Sequence, residues 1–158
     1  IEEEDVLRFN KVMEMLDDSI GELRRVAHNM MPEALSRYGL KTALSDFCKN
    51  FRNVKFHYFG TEQRIEKKLE TVIYRAATEL INNALKHSDA AAVNVQLVCG
   101  TDLISLNVQD NGKGFDATAE TLGTGLNNIR TRVAAVNGTM SIHSSPDEGT
   151  EVDVEIKI

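Results

Sequence analysis

The sequence predicts an α+β chain: a two-layer α/β sandwich, its sheet mixed but mostly antiparallel with helices on one face, preceded by a long heptad helix. Three observations predict it. Val6, Phe9, Met13, Leu16, Ile20, Leu23, Ala27 and Met30 are spaced three and four residues apart in strict alternation, which keeps one apolar seam on one side of a helix. Residues 66–87 then carry Leu69, Ile73, Ala76, Ala77, Leu80 and Ala84 at helical spacing. The remaining short segments alternate in the β period, most regularly at 151–158, with Val152, Val154, Ile156 and Ile158 on one side. Sheets built mostly from hairpins with helices on one face are α+β sandwiches.

The heptad helix ends at Pro32, because the residue before a proline is pushed out of the helical region. Its seam suits a coiled coil or a four-helix bundle; an amphipathic helix lying on its own domain is the alternative, though its apolar stripe is usually wider. Gly39-Leu40 opens a second short helical pattern through Leu44 and Phe47, and Val54–Phe59 reads as a strand closed by Gly60. After the 66–87 helix, Ala92–Val98 and Leu103–Val108 flank the turn pair Gly100-Thr101 and predict a hairpin. A helix from Gly125 to Asn137 follows, with Gly138 at the position where a left-handed cap is wanted. Met140 and Ile142 begin the strand before the last.

The chain has 158 residues, 42% of them hydrophobic and 27% charged, enough to bury roughly 70% of the unfolded surface without a metal or disulfide staple. A formal net charge of −6 removes the electrostatic drive for nucleic-acid binding, so no nucleic-acid partner is expected. Cys48 and Cys99 form no CxxC pair and read as buried apolar residues of a reducing compartment. No apolar run reaches about 18 residues, so no direct membrane contact is expected of this segment. The acidic start Ile1-Glu2-Glu3-Glu4-Asp5 is the reverse of a signal peptide's basic region. A chain that does not begin with methionine reads as a piece of something longer, cytoplasmic itself, with a parent that a membrane anchor would not contradict.

Candidate chemistry starts on the 66–87 helix. At 100° per residue Glu79, Asn83 and Lys86 lie within about 60° of one another, with His87 at the edge of the stripe. A carboxylate, an amide and an ammonium there suit a magnesium ion and a phosphate; a solvated polar face has the same pattern. The second element is Asp110-Asn111-Gly112-Lys113-Gly114 at a strand end. A carboxylate there can accept from an exocyclic amine, and Gly112 and Gly114 give backbone freedom and close approach to a flat ring, although the pattern is also good turn chemistry. After a polar stretch from Asp116 to Thr121, readable as a lid, Gly123-Thr124-Gly125-Leu126 opens a helix, and a glycine-rich helix N-terminus is an anion site. Gly149-Thr150 enters the last strand.

In these four segments the chain resembles the ATP-binding (Bergerat, or GHKL) domain of sensor histidine kinases. Arg75 to Ser88 resembles the N box, Asp110 to Phe115 the first glycine box, Gly123 to Val133 the second, and Gly149-Thr150 the closing Gly-Thr. Their order covers 70–158. The short lid without a phenylalanine box resembles the branch partnered with NarL-type regulators, as does the stretch His28 to Leu44. The resemblance implies ATP and Mg2+ as ligands, with Asn83 on the metal and Lys86 and His87 as candidates for the phosphates. It implies that Asp110 selects adenine and that Gly112, Gly114, Gly123, Gly125 and Leu126 line the nucleotide and its lid. Thr150 then closes the adenine pocket, and Glu79 orients or deprotonates the attacking group. Arg130 and Arg132 are candidates for the triphosphate or for surface salt bridges.

On this reading residues 1–35 are the second helix of a dimerisation and phosphotransfer hairpin, and 36–158 the catalytic domain. The implied partners are a second copy through the N-terminal helix and the receiver domain of a response regulator. His28 is followed by Asn29 rather than by an acidic residue that would serve as its base, so the acceptor histidine is expected upstream of Ile1 and the piece alone is not expected to phosphorylate itself. His57 and His143 fall in strand patterns and read as partly exposed sheet positions. An ATPase of the same superfamily, a dimerisation module without nucleotide, and a serine-kinase anti-sigma factor are the rivals; the heptad helix counts against the last.

Overall fold

A computed structural model describes residues 3–29, 32–117 and 123–158, except the side chains of 24–29. The chain forms two compact units, Ile1–Met31 and Pro32–Ile158. The first is one helix, α1 (Glu3–Asn29), with Glu3, Glu4 and Asp5 in its first turn, where the helix dipole favours negative charge. Six positions of the expected seam are open to solvent within this unit: Val6, Phe9, Met13, Leu16, Ile20 and Leu23 are each 44–69% exposed. The side chains of Ala27, His28 and Met30 lie outside the described residues.

The second unit runs α2 (Glu33–Tyr38), α3 (Leu40–Cys48), β1 (Val54–Gly60), α4 (Lys67–Lys86), β2 (Val93–Cys99), β3 (Leu103–Asp110), α5 (Thr124–Ala135), β4 (Thr139–Ser144) and β5 (Thr150–Lys157). The expected division at 35/36 falls inside α2, whose Leu35 is buried. One five-stranded sheet has the order β1-β2-β3-β5-β4. All neighbours are antiparallel except β1 and β2, which run parallel from Val54 opposite Val93 because the long α4 returns the chain to the starting edge. Val93, Val95, Leu97, Ile104, Leu106, Val108, Val152, Val154 and Ile156 form the inner face, against Leu44, Ile73, Ala77, Leu80, Ile81, Ile129 and Val133 of the helices. The opposite face is polar: Asn107 Nδ2 donates to Glu151 Oε1 (2.8 Å) and Asp153 Oδ1 (2.7 Å) across it, and His57 and His143 are exposed. Both cysteines are buried free thiols.

Two features differ from the sequence expectation. The helix before β4 stops at Ala135, and the left-handed residue is Asn137 (φ 58°), not Gly138. Asn137 N donates to Ala134 O (3.0 Å) and Gly138 N to Val133 O (2.9 Å), the two bonds of a Schellman motif. Gly138 serves packing instead, since a Cβ there would stand 2.8 Å from Ile156 Cγ1. The second is a charge in the core. Glu70, one position from the apolar stripe of α4, is 2% exposed. Arg64 meets its carboxylate at 3.0–3.2 Å and donates to the carbonyls of Leu35, Ser36 and Arg37 at the end of α2. This clamp ties α2, the segment after β1, and α4 together.

Candidate functional site

A cavity of about 410 Å³ opens between the C-terminal half of α4, the end of β3, the start of β5 and the first turn of α5. Pockets of roughly 300–1,000 Å³ with few convergent polar groups are the usual size for small-molecule sites. Eight of the residues singled out in the sequence line it: Glu79, Asn83, His87, Asp110, Gly123, Gly125, Leu126 and Thr150.

The helix supplies one wall by periodicity. Glu79, Asn83 and His87 are four residues apart and share a face, while Leu80 and Ala84 carry that wall into the apolar floor with Val108 and Val152. The sheet supplies the polar end. Asp110 closes β3 and lies directly opposite Thr150, the first residue of β5, so both side chains emerge on one face as cross-strand neighbours. Asp110 Oδ1 accepts a hydrogen bond from Gly112 N at 2.8 Å, which fixes the carboxylate and leaves it acceptor capacity. The third wall is the start of α5, capped by Gly123 without a side-chain hydrogen bond. Its first N–H groups have no intrahelical partner and point where an anion is favoured. Gly125 lets this turn approach α4, since a Cβ there would lie 2.8 Å from Glu79 Oε1 and 3.6 Å from Asn83 Nδ2.

Five expected residues do not line the cavity; two of them, Arg130 and Arg132, are exposed on α5. Gly112 and Gly114 accommodate protein backbone rather than a ring: a Cβ on Gly112 would stand 2.2 Å from Ser88 O, and Gly114 (φ 61°) would place one 2.0 Å from Ser145 O. They hold the loops behind the site, where Lys113 N donates to Ser88 O (2.8 Å), Asp147 N donates to Lys113 O (2.5 Å) and Lys113 pairs with Asp89 at 2.9 Å. That exposed pair holds the Asp89 carboxyl below its ordinary range and the Lys113 ammonium above its own. Lys86, the last residue of α4, is exposed. Most of the expected lid falls at 118–122, outside the described residues.

The lining also includes residues to which the sequence reading gave no role at the site: Leu80, Ala84, Ser88, Val108, Phe115, Thr124 and Val152. Leu80, Ala84, Val108 and Val152 carried only a core signal, and nothing in the pattern separates a core residue from a cavity floor. Phe115 directly follows the Gly-x-Gly pattern, the signal that could have found it. Its N–H donates to Ser144 Oγ at 2.9 Å.

The donor set fits a nucleotide with a magnesium ion. Among the described residues no group of three or more His, Cys, Asp or Glu side chains is placed to hold a metal. Magnesium at phosphates uses one or two protein oxygens and fills its shell with water and phosphate oxygen, and Asn83 and Glu79 offer that number. Among the described residues no helix is long and apolar enough to cross a membrane.

Comparison with known proteins agrees with this geometry. The chain is 28% identical to the signal transduction histidine-protein kinase/phosphatase DegS of Brevibacillus brevis over 99% of its own length. It is 32% identical to the oxygen sensor histidine kinase NreB of Staphylococcus carnosus over 96%. It spans 42% and 45% of those two proteins. The ATP-binding domain of PrrB from Mycobacterium tuberculosis superposes with a TM-score of 0.57 over 75% of this chain and 90% of that one, at 22% identity, which speaks for the fold alone. Residues 68–158, more than half of the chain and every wall of the cavity, match one family profile, and the chain belongs to the histidine kinase-, DNA gyrase B- and HSP90-like ATPase family.

Proposed function

We propose that the cavity binds Mg·ATP and that, within a longer sensor kinase, this unit delivers the γ-phosphoryl group to a histidine for relay to a response regulator's receiver domain. The observation that carries the reading is that Asp110 and Asn83, from a strand end and from a helix, line one cavity. Asp110 accepts from the exocyclic amine of adenine, with Thr150 beside it. Asn83 supplies an oxygen to the metal, and the first turn of α5 receives the phosphate chain, with His87 on the cavity wall and the exposed Lys86 next to it in sequence. Magnesium, when bound, neutralises phosphate charge. Glu79, close to both Asn83 and the α5 turn, orients the attacking group. Phosphoryl transfer asks a protein for positioning and charge neutralisation more than for covalent participation, which is what glycines, an amide, a carboxylate and helix N–H groups offer. The open seam of α1 supports reading residues 1–35 as part of a dimerisation hairpin that pairs with a second copy.

Thermal unfolding with Mg·ADP tests binding: saturation at 100 times Kd adds roughly 2.7 kcal/mol. Asp110→Asn keeps an acceptor for Gly112 N and loses the charge, which weakens ADP by about 10- to 100-fold. No shift with the wild-type chain refutes the nucleotide site. Transfer is tested on the intact kinase with γ-labelled ATP, where acid-labile label on a histidine is expected. Steady phosphate release with no label on protein would instead assign Glu79 to activating water.

A further inference from the structure

The gap between sheet and helices opens a second time, at the end opposite the nucleotide cavity. A cleft of about 340 Å³ lies where the α2–α3 corner and the segment after β1 meet the ends of β1 and β2 and the start of β3. Its floor is apolar: Leu40, Leu97, Cys99 and Ile104 line it and are buried. Protein interiors leave few voids larger than a water molecule. A cleft with room for about eleven waters, at roughly 30 Å³ each, is more than a packing defect.

The frame of the cleft is set by hydrogen bonds. Gln63 Nε2 donates to Gly100 O at 2.9 Å and to Cys99 Sγ at 3.3 Å, and Tyr58 OH donates to Thr61 O at 2.9 Å. Arg64 is committed to Glu70 and to the carbonyls of α2. Gly39 (φ 87°) turns the chain from α2 into α3, where a Cβ would stand 2.9 Å from Arg64 Cδ. A site held open in this way has little left to order when a ligand enters.

Charge then selects the class of ligand. Arg37, Lys41 and Arg64 line the cleft against one carboxylate, Glu62, on a chain whose formal net charge is −6. Lys41 has donors to spare. It meets Glu62 Oε2 at 3.2 Å in an exposed pair, which is worth little, and an ammonium carries three donors. Its Nζ also stands 5.2 Å from the centre of the Tyr58 ring, which holds the charge at the wall of the cleft. Burial pushes the Tyr58 phenol up to about 12, so that wall is neutral towards an anion.

We infer that this cleft is a second small-molecule site, one that takes an apolar monocarboxylate of about a dozen heavy atoms, its body on Leu97, Cys99 and Ile104 and its carboxylate on Lys41. The inference stands apart from the nucleotide reading.

The test is amide NMR of the full chain titrated with 3-phenylpropionate and with its uncharged counterpart, 3-phenylpropanol. Saturable shifts at Lys41, Cys99 and Ile104 are expected with the acid, with Kd on the order of 1 mM or below. The alcohol binds about tenfold more weakly, for want of a charge-assisted bond. Lys41→Met brings the acid down to the level of the alcohol, and Lys41→Arg, which keeps the charge, keeps the preference for the acid. The acid still binds when Mg·ADP is saturating. No saturable shift at this end of the sheet overturns the inference, as do shifts confined to Asn83 and Gly125 or displacement of the acid by Mg·ADP, which place the acid in the nucleotide cavity. Acid and alcohol binding alike, or a folded Lys41→Met chain that still prefers the acid, overturns the assigned ligand class. A chain that binds the acid but not Mg·ADP keeps this inference and removes the nucleotide reading.

Discussion

Replacing Arg64 by methionine keeps most of the side-chain volume and removes the only charge that meets Glu70 among the described residues. The Glu70 side chain is 3% exposed and that of Arg64 48%. Removing one partner of a buried pair costs about 3–5 kcal/mol, because the other charge stays desolvated. The open flank of Arg64 admits water towards the stranded carboxylate, which places the cost at the lower end, about 3 kcal/mol. The three carbonyls of α2 lose their donor as well, but two of those bonds are exposed and water replaces them at little cost. A domain of this size loses roughly 3–4 °C of Tm per kcal/mol, so Arg64→Met melts about 10 °C lower. Replacing both residues by methionine recovers most of the loss, since an apolar pair of similar volume is close to neutral. Circular dichroism melts of wild type, both single variants and the double variant close the cycle. Glu70 and Asn83 are separated by about 20 Å along α4, so ADP affinity of the folded Arg64→Met chain is unchanged. A loss below about 1 kcal/mol, or a double variant as unstable as the singles combined, refutes the desolvation argument.

Gly112→Ala and Gly125→Ala separate two uses of glycine: the first drives a Cβ into the Ser88 backbone and lowers Tm by 10 °C or more, roughly 3 kcal/mol. The second crowds just the far end of Glu79, with Asn83 Nδ2 at an ordinary 3.6 Å, so Tm holds within about 2 °C while Mg·ADP binds several-fold more weakly; comparable melts for both variants would contradict this. Burial pushes the Cys48 thiol from 9.0 up to about 11. The folded chain therefore holds a proton that the unfolded chain releases between those values; stability is full below pH 9 and falls by roughly 2–3 kcal/mol towards pH 11. Cys48→Ala flattens that part of the pH–Tm profile, and an unchanged slope rejects the assignment. Leu16→Glu with Ile20→Glu places two charges in the α1 seam; sedimentation is expected to show self-association of wild type and none of the variant, and equal behaviour removes the seam from the dimer contact.

The fold was largely legible because its signals are local. The heptad, the α4 stripe and the alternation of β5 each depend on residues close in sequence, and each element stands within a few residues of its expected ends. What escaped depends on distant partners. The parallel β1–β2 pairing is set by where α4 returns the chain, which no short window contains. Glu70 reads as an ordinary surface position of a helix until Arg64, from the segment before it, covers the carboxylate. The left-handed residue is Asn137, and what calls for glycine at 138 is packing against Ile156, a contact between residues 18 positions apart.

The site shows the same division. Glu79, Asn83 and His87 share a face by helical period alone, and Asp110 stands at a strand end by alternation alone, so both could be named in advance. The glycines were named for a ligand, and two of them answer to the backbone instead: Gly112 to Ser88, and Gly114 to Ser145. A glycine pattern records where a side chain is forbidden but not what forbids it. Here the forbidding atoms belong to the loops that follow α4 and β4. Lys113 holds those two loops through its N–H and its carbonyl, and Asp110 is anchored to Gly112 in the same turn. The acceptor end of the cavity is thus fixed by main chain before any ligand arrives, whereas Gly125 faces the movable side chain of Glu79 at the other end. Under the proposed nucleotide reading, the stiff end faces the base and the yielding end the phosphates, so substitutions at the two ends should change different quantities, selectivity at one and turnover at the other.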